Sequence, residues 1–412
     1  MSADSRMPDI PARAINEKER ADRGEGVDER AKTLHVAFVS ETWAPEINGV
    51  THTLGHLASH LAHSGVRLQL VRPHPPTPHR DSLMSEELQV GAIPIPDYDG
   101  VSMGVPALRR LGRLWRDHRP DVIYIATEGP LGLTALIQAR RHNIPVVSGY
   151  HTNFDQYSRY YIMLRVLRPL VRPFLRGFHN KTAATLVPTR RQADELRHQG
   201  YRNVQVLSRG LDRQRFSPQR RSASLRTHWG ANVDTPVVLY AGRLAAEKNV
   251  MLLIDTLEAM RLKSPNLQAV IVGDGPQRSL LEQRLPWVHF AGFQRDEALA
   301  EHYASADIFL FPSLSETFGN VVIEAMASAL AVVAFDYAAA GELIEENVHG
   351  KLASVDQPAQ FIDAAQALCD DIAMVRAMGE AACERVQSLG WPVIGDTFMN
   401  YLLQAQEVSG GR

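Results

Sequence analysis

Two glutamates stand on either side of a turn whose residue types suit the binding of a phosphate group. The stretch 308–327 opens with a continuous apolar run, which predicts a buried strand, and continues with a helical periodicity that begins near Gly319. The first turn of a helix leaves backbone N–H groups unpaired at its positive end, and a glycine there leaves room for a ligand. The N–H groups of Phe318, Gly319 and Asn320 are therefore predicted to hold a phosphate.

The glutamates themselves, Glu316 before the turn and Glu324 inside the helix, would repel a phosphate unless they faced other groups. Carboxylate oxygens accept hydrogen bonds from hydroxyls, so the pair suits the sugar rings at the two ends of a diphosphate. This layout predicts that the ligand is a nucleotide sugar. The alternative is an ordinary solvated start of a helix, with a glutamate as its cap.

The run from Glu316 to Met326 resembles the Glu-x7-Glu signature of the retaining GT-B glycosyltransferases called family 4. The strand before it, the Phe-Gly inside it and the Glu-Ala-Met after it make the match specific. Four other segments are similar to motifs of that family: 44–54, 149–153, 208–218 and 241–249. The first of them is similar to a subgroup whose mannosyl-, glucuronosyl- and sulfoquinovosyltransferases make glycolipids. The family pattern has glycine and proline where this chain has Ala329 and Ala331.

The resemblance implies roles for individual side chains in both halves of the chain. His151 corresponds to a histidine that borders the donor sugar, and with Glu316 it is a candidate catalytic residue. The implied donor-binding residues are Gly49, Arg243, Lys248, Arg295, Glu316, Phe318, Gly319, Asn320 and Glu324. For His151, the alternative is a histidine occupied by local backbone hydrogen bonds.

Arg243 and Lys248 would supply two fixed cations to the diphosphate and would stabilise the leaving group as charge develops on it. The chain has six lysines against thirty-eight arginines, so a lysine at this position is more than background composition. The alternative is a surface salt bridge with Glu247.

No metal ion is expected, although two groups of residues could suggest one. Four histidines follow one stripe of a predicted helix: His52, His56, His60 and His63. Histidines four residues apart can chelate a metal, but these lie opposite an apolar stripe that faces the core, so we expect them to face water. Asp97 and Asp99 imitate the Asp-x-Asp metal motif, yet the surrounding prolines and glycine favour a turn.

Strands alternate with helices along the chain, which predicts parallel, doubly wound sheets with ligands at the carboxyl ends of the strands. A length of 412 residues exceeds what one core usually supports. With the resemblance, the expected fold is an α/β fold of the GT-B type: two doubly wound, Rossmann-like domains facing across a cleft, with a C-terminal helix that crosses back to the first domain. The predicted divisions are a disordered tail (1–32), an acceptor-binding domain (33–207), a linker (208–234), a nucleotide-sugar-binding domain (235–390) and a terminal helix (391–412).

The formal net charge of −2 offers no whole-protein attraction to nucleic acid or to an anionic surface, so any basic site must be local. Cys369 and Cys383 lack metal-ligand partners at close spacing, so we expect them to be plain buried or half-buried residues of a reducing compartment. No apolar run is long enough to span a bilayer, and the charged start of the chain is unlike a signal peptide. We therefore expect a cytoplasmic protein, with peripheral attachment to the inner face of the cell membrane as a further option. The sequence does not predict an oligomeric state.

Residues 159–181 mix arginines with large apolar residues at helical spacing. Such a stretch can lie in an anionic membrane surface. The candidate membrane contacts are Arg165, Arg168, Arg172 and Arg176. A packed helix with a solvated basic edge is an equally good interpretation, because Pro169 and Pro173 divide the stretch into short pieces.

With these features, the resemblance implies a retaining glycosyltransferase that moves a hexosyl group from GDP-mannose or a UDP-hexose to a hydroxyl of a lipid such as diacylglycerol. The resemblance implies a front-face route in which the departing phosphate accepts the acceptor proton, with no metal or other cofactor. Two alternatives stay open. One is transfer to a soluble sugar or polysaccharide, and the other is a protein that binds nucleotide sugars without turnover.

Overall fold

The structure is a computed structural model that describes residues 34–46, 48–75, 77–94, 102–151 and 162–410. The predicted tail (1–32) and the pair Asp97 and Asp99 lie outside the described residues. The side chains of Arg165 and Arg168 lie outside them as well.

The first domain is built on a sheet of seven strands, each parallel to its neighbours. Its strands are β1 (His35–Val39), β2 (Arg67–Pro73), β3 (Glu86–Val90), β6 (Val122–Ile125), β7 (Val146–Gly149), β8 (Ala184–Val187) and β9 (Val204–Val206), and a separate antiparallel hairpin is formed by β4 (Ala92–Pro94) and β5 (Ser102–Gly104). The order across the sheet is β3-β2-β1-β6-β7-β8-β9, so the winding reverses between β1 and β6. Strands buried on both faces, such as β1, fit a sheet covered by helices on both sides.

The described helices of the first domain are α1 (Gly49–His63), α2 (Leu108–Asp117), α3 (Pro130–Arg141), α4 (Ile162–His179) and α5 (Arg190–His198). The start of α1 is set by Asn48, whose side chain accepts the backbone N–H of Thr51 at 2.9 Å. Pro130 opens α3 at a position where a missing N–H costs nothing. Both helices begin at the carboxyl edge of the sheet, because each follows a parallel strand through a short loop.

The second domain repeats this design with six parallel strands. Its strands are β10 (Val237–Ala241), β11 (Gln268–Val272), β12 (His289–Gly292), β13 (Ile308–Phe311), β14 (Ala331–Phe335) and β15 (Gly350–Ala353). Its helices are α6 (Ala223–His228), α7 (Val250–Lys263), α8 (Arg278–Arg284), α9 (Asp296–Ser305), α10 (Asn320–Ala327), α11 (Ala338–Leu343), α12 (Pro358–Ala367) and α13 (Ile372–Arg385). The order β12-β11-β10-β13-β14-β15 reverses between β10 and β13, which confirms the predicted pair of doubly wound domains.

Much of the segment 208–234, predicted as a linker, is folded onto the second domain. Phe216 and Trp229 are buried in its core. Asp307, which precedes β13, is buried and accepts hydrogen bonds from the guanidinium groups of Arg221 at 2.7 Å and Arg226 at 3.0 Å. Loss of one partner from a buried ion pair of this kind costs about 3–5 kcal/mol, so the segment is anchored and is not a free tether.

The last helix, α14 (Trp391–Gly410), packs on the first domain, where Phe398 and Leu402 are fully buried in its core. It covers part of the histidine stripe of α1. His56 stacks on the ring of Trp391, with centroids 4.3 Å apart, and His60 lies 2.9 Å from the carboxylate of Asp396. The prediction that the stripe faces water is therefore wrong for these two histidines, since a helix from the far end of the chain covers them.

The two domains meet at the carboxyl ends of their sheets. Thr317, in the loop after β13, donates its hydroxyl to the backbone carbonyl of His151 at 2.8 Å. On the same side, the guanidinium of Arg191 donates to the carbonyl of Asp336 at 2.8 Å. The site loops of both domains are thereby brought to one cleft.

Two further features follow from the described residues. Ala329 adopts a left-handed φ of 60°, the conformation for which the family pattern uses glycine, so alanine is accommodated at some cost in backbone energy. Among the helices in the described ranges, none is both long enough and apolar enough to cross a membrane.

Candidate active site

The loops after β10 and β13 flank the point where the second sheet reverses its winding. In doubly wound folds, ligands bind outside the carboxyl ends of the strands at such a point. The loop after β10 carries Arg243 and Lys248, and the loop after β13 carries Glu316. Because β10 and β13 are parallel neighbours, the predicted cations and the predicted sugar-binding carboxylate lie at one edge of the sheet.

The turn that opens α10 has the geometry of an anion-binding helix start. Gly319 takes a left-handed φ of 88°, and a side chain there would come within 3.2 Å of the Phe311 ring. Asn320 is the first residue of the helix, and the side chain of Phe318 is buried in the domain core. Phe318 can therefore offer a ligand its backbone N–H, while its ring fixes the loop.

Two helix starts from different domains converge beside this turn. Gly49 is the first residue of α1, and a Cβ placed on it would lie 4.0 Å from Nδ2 of Asn320. The N-terminal end of a helix carries partial positive charge and unpaired N–H groups. The two ends together favour an anion between them, with no side chain at Gly49 to block it.

The Glu316 carboxylate is held at the edge of this cleft, with its side chain only 14% exposed. Its Oε1 accepts a hydrogen bond from the Ser313 hydroxyl at 2.8 Å and contacts the ammonium group of Lys248. The backbone N–H of Glu316 donates to the hydroxyl of Tyr337 at 3.1 Å, which fixes the loop. A carboxylate held in one orientation in this way suits the binding of a sugar hydroxyl.

Each predicted phosphate-binding cation has a carboxylate neighbour. Lys248 contacts Glu316, and Arg243, whose side chain is exposed, lies 3.7 Å from Glu247. Glu247, considered above as a partner for Lys248, thus contacts Arg243. The two helix ends add positive potential to that of these paired cations.

Glu324 lies inside α10, where the Tyr303 hydroxyl of α9 donates to its Oε2 at 3.1 Å. Burial raises the pKa of Glu324 to about 7, although the hydrogen bond from Tyr303 and the charge of Arg215 act in the opposite direction. A carboxyl group that titrates near neutrality can both donate and accept hydrogen bonds with a ribose.

The raised pKa of Glu324 predicts how stability depends on pH. Because the folded protein binds this proton more tightly than the unfolded chain, the charged carboxylate destabilises the fold; the effect is absent below about pH 4.5 and complete above about pH 7. A Glu324→Gln variant should therefore melt at a higher temperature than wild type at pH 8 and within about 2 °C of it at pH 4.5. Thermal unfolding followed by circular dichroism at both pH values checks this, and an equal shift at both would contradict it.

His151 is a buried ring with both nitrogens engaged. Its Nδ1 lies 2.7 Å from a guanidinium nitrogen of Arg209, which can only donate, and its Nε2 lies 2.8 Å from the hydroxyl of Tyr124. Nε2 therefore carries the proton of the neutral ring and donates it to Tyr124. Burial and, to a smaller extent, the charge of Arg209 lower the pKa of His151 well below its usual range. The alternative of a histidine occupied by local backbone hydrogen bonds is right in that both nitrogens are bonded, but the partners are side chains and not the backbone.

Sequence reasoning missed the two partners of this histidine. Arg209 lies in the predicted linker, and Tyr124 lies within a buried strand like any apolar residue. A signal was available at Gly149, because a Cβ there would collide with both the His151 ring and the Tyr124 hydroxyl. A glycine at the end of a buried strand indicates a close approach of this kind.

Arg295 precedes α9 at the edge of the second domain. Its guanidinium lies over the exposed ring of Phe293, 4.9 Å from the centroid. The structure thus places an exposed aromatic ring beside Arg295, one of the implied donor-binding residues.

Two basic surfaces lie on the first domain. On α4, Arg172 and Arg176 are exposed, while Leu175 and Phe178 face the core, and Arg176 donates to the carbonyl of Gln199 at 3.3 Å. The second surface was not predicted. It combines exposed arginines of α2 with exposed apolar side chains of the β4–β5 hairpin and its exit: Arg109, Arg110, Arg113, Arg116, Ile93, Met103 and Val105.

No cluster of three or more histidine, cysteine, aspartate or glutamate side chains that could hold a metal ion occurs in the described part of the chain.

Sequence comparison places both halves of the chain among glycosyltransferases. Residues 47–215 match the family described as Glycosyltransferase Family 4, and residues 235–371 match Glycosyl transferases group 1. A GDP-mannose-dependent alpha-mannosyltransferase of Mycobacterium tuberculosis is 32% identical over 373 residues, which cover 89% of this chain and 96% of that protein. An alpha-monoglucosyldiacylglycerol synthase of Acholeplasma laidlawii is 24% identical, over 73% of this chain and 80% of that protein.

Comparison with solved structures supports the same fold. Sucrose-phosphate synthase from Thermosynechococcus elongatus superimposes with a TM-score of 0.75 at 19% identity, covering 91% of this chain and all of that one. At this identity the likeness bears on the fold alone.

Proposed function

Because this chain belongs to glycosyltransferase family 4, we propose that it is a retaining enzyme that transfers a hexosyl group from a nucleoside diphosphate sugar to a lipid hydroxyl. The observation that carries the proposal is the convergence of the α1 and α10 helix starts beside the Lys248–Glu316 pair. A diphosphate between the helix ends would place its sugar against Glu316, where a fixed carboxylate can accept hydroxyl hydrogen bonds.

The proposed chemistry is a front-face substitution. The acceptor oxygen forms a bond to the anomeric carbon on the face from which the diphosphate leaves, the bond from that carbon to the phosphate oxygen breaks, and the acceptor proton passes to the departing phosphate. Glu316 is tied through Oε1 to Lys248 and Ser313, so we assign it to holding the donor sugar and not to attacking it. Both nitrogens of the His151 ring are engaged by Arg209 and Tyr124, so we assign His151 to bordering the sugar as a fixed neutral ring and not to acting as a base. The helix ends, Arg243 and Lys248 stabilise the leaving group.

We favour GDP-mannose as the donor and a diacylglycerol-like lipid as the acceptor, with a UDP-hexose as the second choice of donor. The mannosyltransferase relative supports the donor, and the monoglucosyldiacylglycerol synthase supports the acceptor. A panel of nucleotide sugars incubated with diacylglycerol vesicles tests the choice, with products identified by mass spectrometry and the anomeric configuration by NMR. We expect an α-linked hexosyl lipid from GDP-mannose. Transfer only to soluble sugars, or donor binding without turnover, would favour one of the two alternatives.

The proposal includes independence from metal ions, because the protein supplies the positive charge that the leaving group needs. Activity should persist within about twofold when excess EDTA is added. Initial rates with and without EDTA check this. Loss of activity that Mn²⁺ or Mg²⁺ restores would show that the diphosphate site has been misassigned.

Glu324 is proposed to bind the ribose of the donor. A Glu324→Ala variant removes the group that would meet its hydroxyls, and we expect donor affinity to fall about tenfold with little change in the fold. Isothermal titration calorimetry with the nucleoside diphosphate measures the effect, and Glu301→Ala, an exposed change on α9, is the control. An affinity equal to that of wild type would exclude this role.

We place the enzyme in the cytoplasm, as a peripheral protein on the inner face of the cell membrane. The basic surfaces of α2 and α4 support this, because arginines beside exposed apolar residues suit an anionic headgroup layer. The α2 surface is the better candidate of the two, since its arginines and the hairpin residues are exposed together.

A further inference from the structure

Glu128 lies at the point where the first sheet reverses its winding. It follows β6 and precedes α3, next to the end of β1. This is the counterpart of the position that Arg243 and Glu316 occupy on the second sheet, and ligands of doubly wound domains bind at such positions. The Thr317–His151 contact shows that the two carboxyl edges meet, so Glu128 lies on the acceptor side of the same cleft.

Glu128 is close to the ring that borders the donor. The pKa of Tyr124 is raised by burial and, to a smaller extent, by the charge of Glu128. The Tyr124 hydroxyl in turn is bonded to Nε2 of His151. The carboxylate of Glu128 is therefore within electrostatic reach of the donor-side hydrogen-bond network.

A fully buried histidine holds Glu128 in place. Nε2 of His179 lies 3.1 Å from Oε1 of Glu128, and its Nδ1 lies 2.9 Å from the hydroxyl of Ser148 on β7. With Nε2 donating to the carboxylate, Nδ1 accepts from Ser148, so the neutral ring satisfies both contacts. The Glu128 side chain is 10% exposed, so part of this fixed carboxylate stays accessible to a ligand.

Glu41, the other glutamate where the first sheet reverses its winding, binds a different group. Its Oε1 accepts the backbone N–H of Leu131 at 3.0 Å and thereby caps α3, and a Cβ on Gly129 would collide with its carboxyl group. Burial raises the pKa of Glu41 to about 7, and the charge of Glu128 contributes to the rise. Glu41 is committed to the helix start, whereas Glu128 can accept a hydrogen bond from a ligand.

We propose that Glu128 binds a hydroxyl group of the acceptor and orients the acceptor toward the donor sugar, with His179 as a positioning residue. Two carboxyl groups side by side disfavour a phosphate, so the acceptor presents an uncharged polyol here, such as a glycerol or sugar hydroxyl, and not a phosphate-bearing headgroup. This inference rests on the proposed transferase function, and it goes beyond it by naming the residue and the chemical class that select the acceptor.

The test compares Glu128→Gln with wild type in acceptor and donor kinetics. Loss of the charged acceptor should lower kcat/KM for diacylglycerol about ten- to a hundredfold, mainly through a higher acceptor KM. Donor affinity by calorimetry should stay within about twofold, because the groups proposed to bind the diphosphate lie on other loops. His179→Gln should shift the acceptor KM in the same direction by less. Glu301→Gln on α9 is the matched control.

A purely structural role of Glu128 would change donor affinity and melting temperature as well as acceptor kinetics. If Glu128 only supported the fold, donor affinity and melting temperature would fall together with kcat/KM for the acceptor. Should the glutamine variant not fold, Glu128→Asp provides a second variant, because it keeps the charge one methylene further back. If wild type transfers to diacylglycerol and the Glu128→Gln variant has the same acceptor KM, the inference is overturned but the proposed function stands. Preferential wild-type transfer to phosphatidylglycerol also overturns it. A wild type that transfers to no lipid overturns the proposed function and the inference with it.

Discussion

A Glu316→Gln variant should lose about ten- to a hundredfold in kcat, while its KM for the donor changes by less than about threefold. Glutamine keeps the size of the side chain but loses the charge that strengthens a hydrogen bond from the sugar hydroxyl. If that bond tightens as positive charge develops on the sugar ring, the loss falls on the transition state and not on the bound donor. Initial rates over a range of donor concentrations separate the two effects.

The contacts of Glu316 decide which control is needed. Because its carboxylate also contacts Lys248 and Ser313, part of any loss could arise from a disturbed loop. Ser313→Ala removes one of these contacts and keeps the carboxylate, so it should cost far less than Glu316→Gln. A glutamine variant with wild-type kcat, or a Ser313→Ala loss of equal size, would rule out direct binding of the sugar by Glu316.

The parts of the site that lie close together in sequence could be predicted from residue types alone. An apolar run followed by Glu316, Gly319 and a helical pattern is a local signal, and the structure has β13, a left-handed glycine and α10 in that order. The two doubly wound sheets were predictable for the same reason, because each strand and helix has its own local periodicity in the sequence.

Contacts between distant segments could not be predicted in this way. The His151 network joins residues from the ends of two strands and from segment 208–218, and nothing in the local pattern around Tyr124 or Arg209 indicates that they meet. The face of α1 was misjudged for a similar reason. Its apolar stripe correctly faces the core, but the opposite face is covered in part by Trp391 of a helix more than three hundred residues further along the chain.

The largest effect on location is expected from the α2 surface. Each arginine near an anionic leaflet is worth about 1 kcal/mol, so reversing Arg109, Arg110, Arg113 and Arg116 to glutamate should weaken binding to anionic vesicles by about a thousandfold or more. Wild type should co-sediment with these vesicles in low salt and be released by higher salt, because the attraction is screened over a Debye length. Co-sedimentation with vesicles of defined phosphatidylglycerol content measures both effects.

Two comparison variants make this result specific to one surface. Reversal of Arg165, Arg168 and Arg172 tests the α4 surface, and reversal of four exposed cations elsewhere, Arg202, Lys263, Arg284 and Arg385, matches the change in total charge. If α2 faces the membrane, reversal on α4 should weaken binding only partly and reversal of the four cations elsewhere hardly at all.

The hairpin adds a separate test, because Ile93→Ser should weaken binding without changing its salt dependence, as expected for an apolar side chain buried among acyl chains. Wild-type protein that ignores anionic vesicles at low salt would instead make both surfaces solvated helix faces, and a soluble acceptor would then be the better choice.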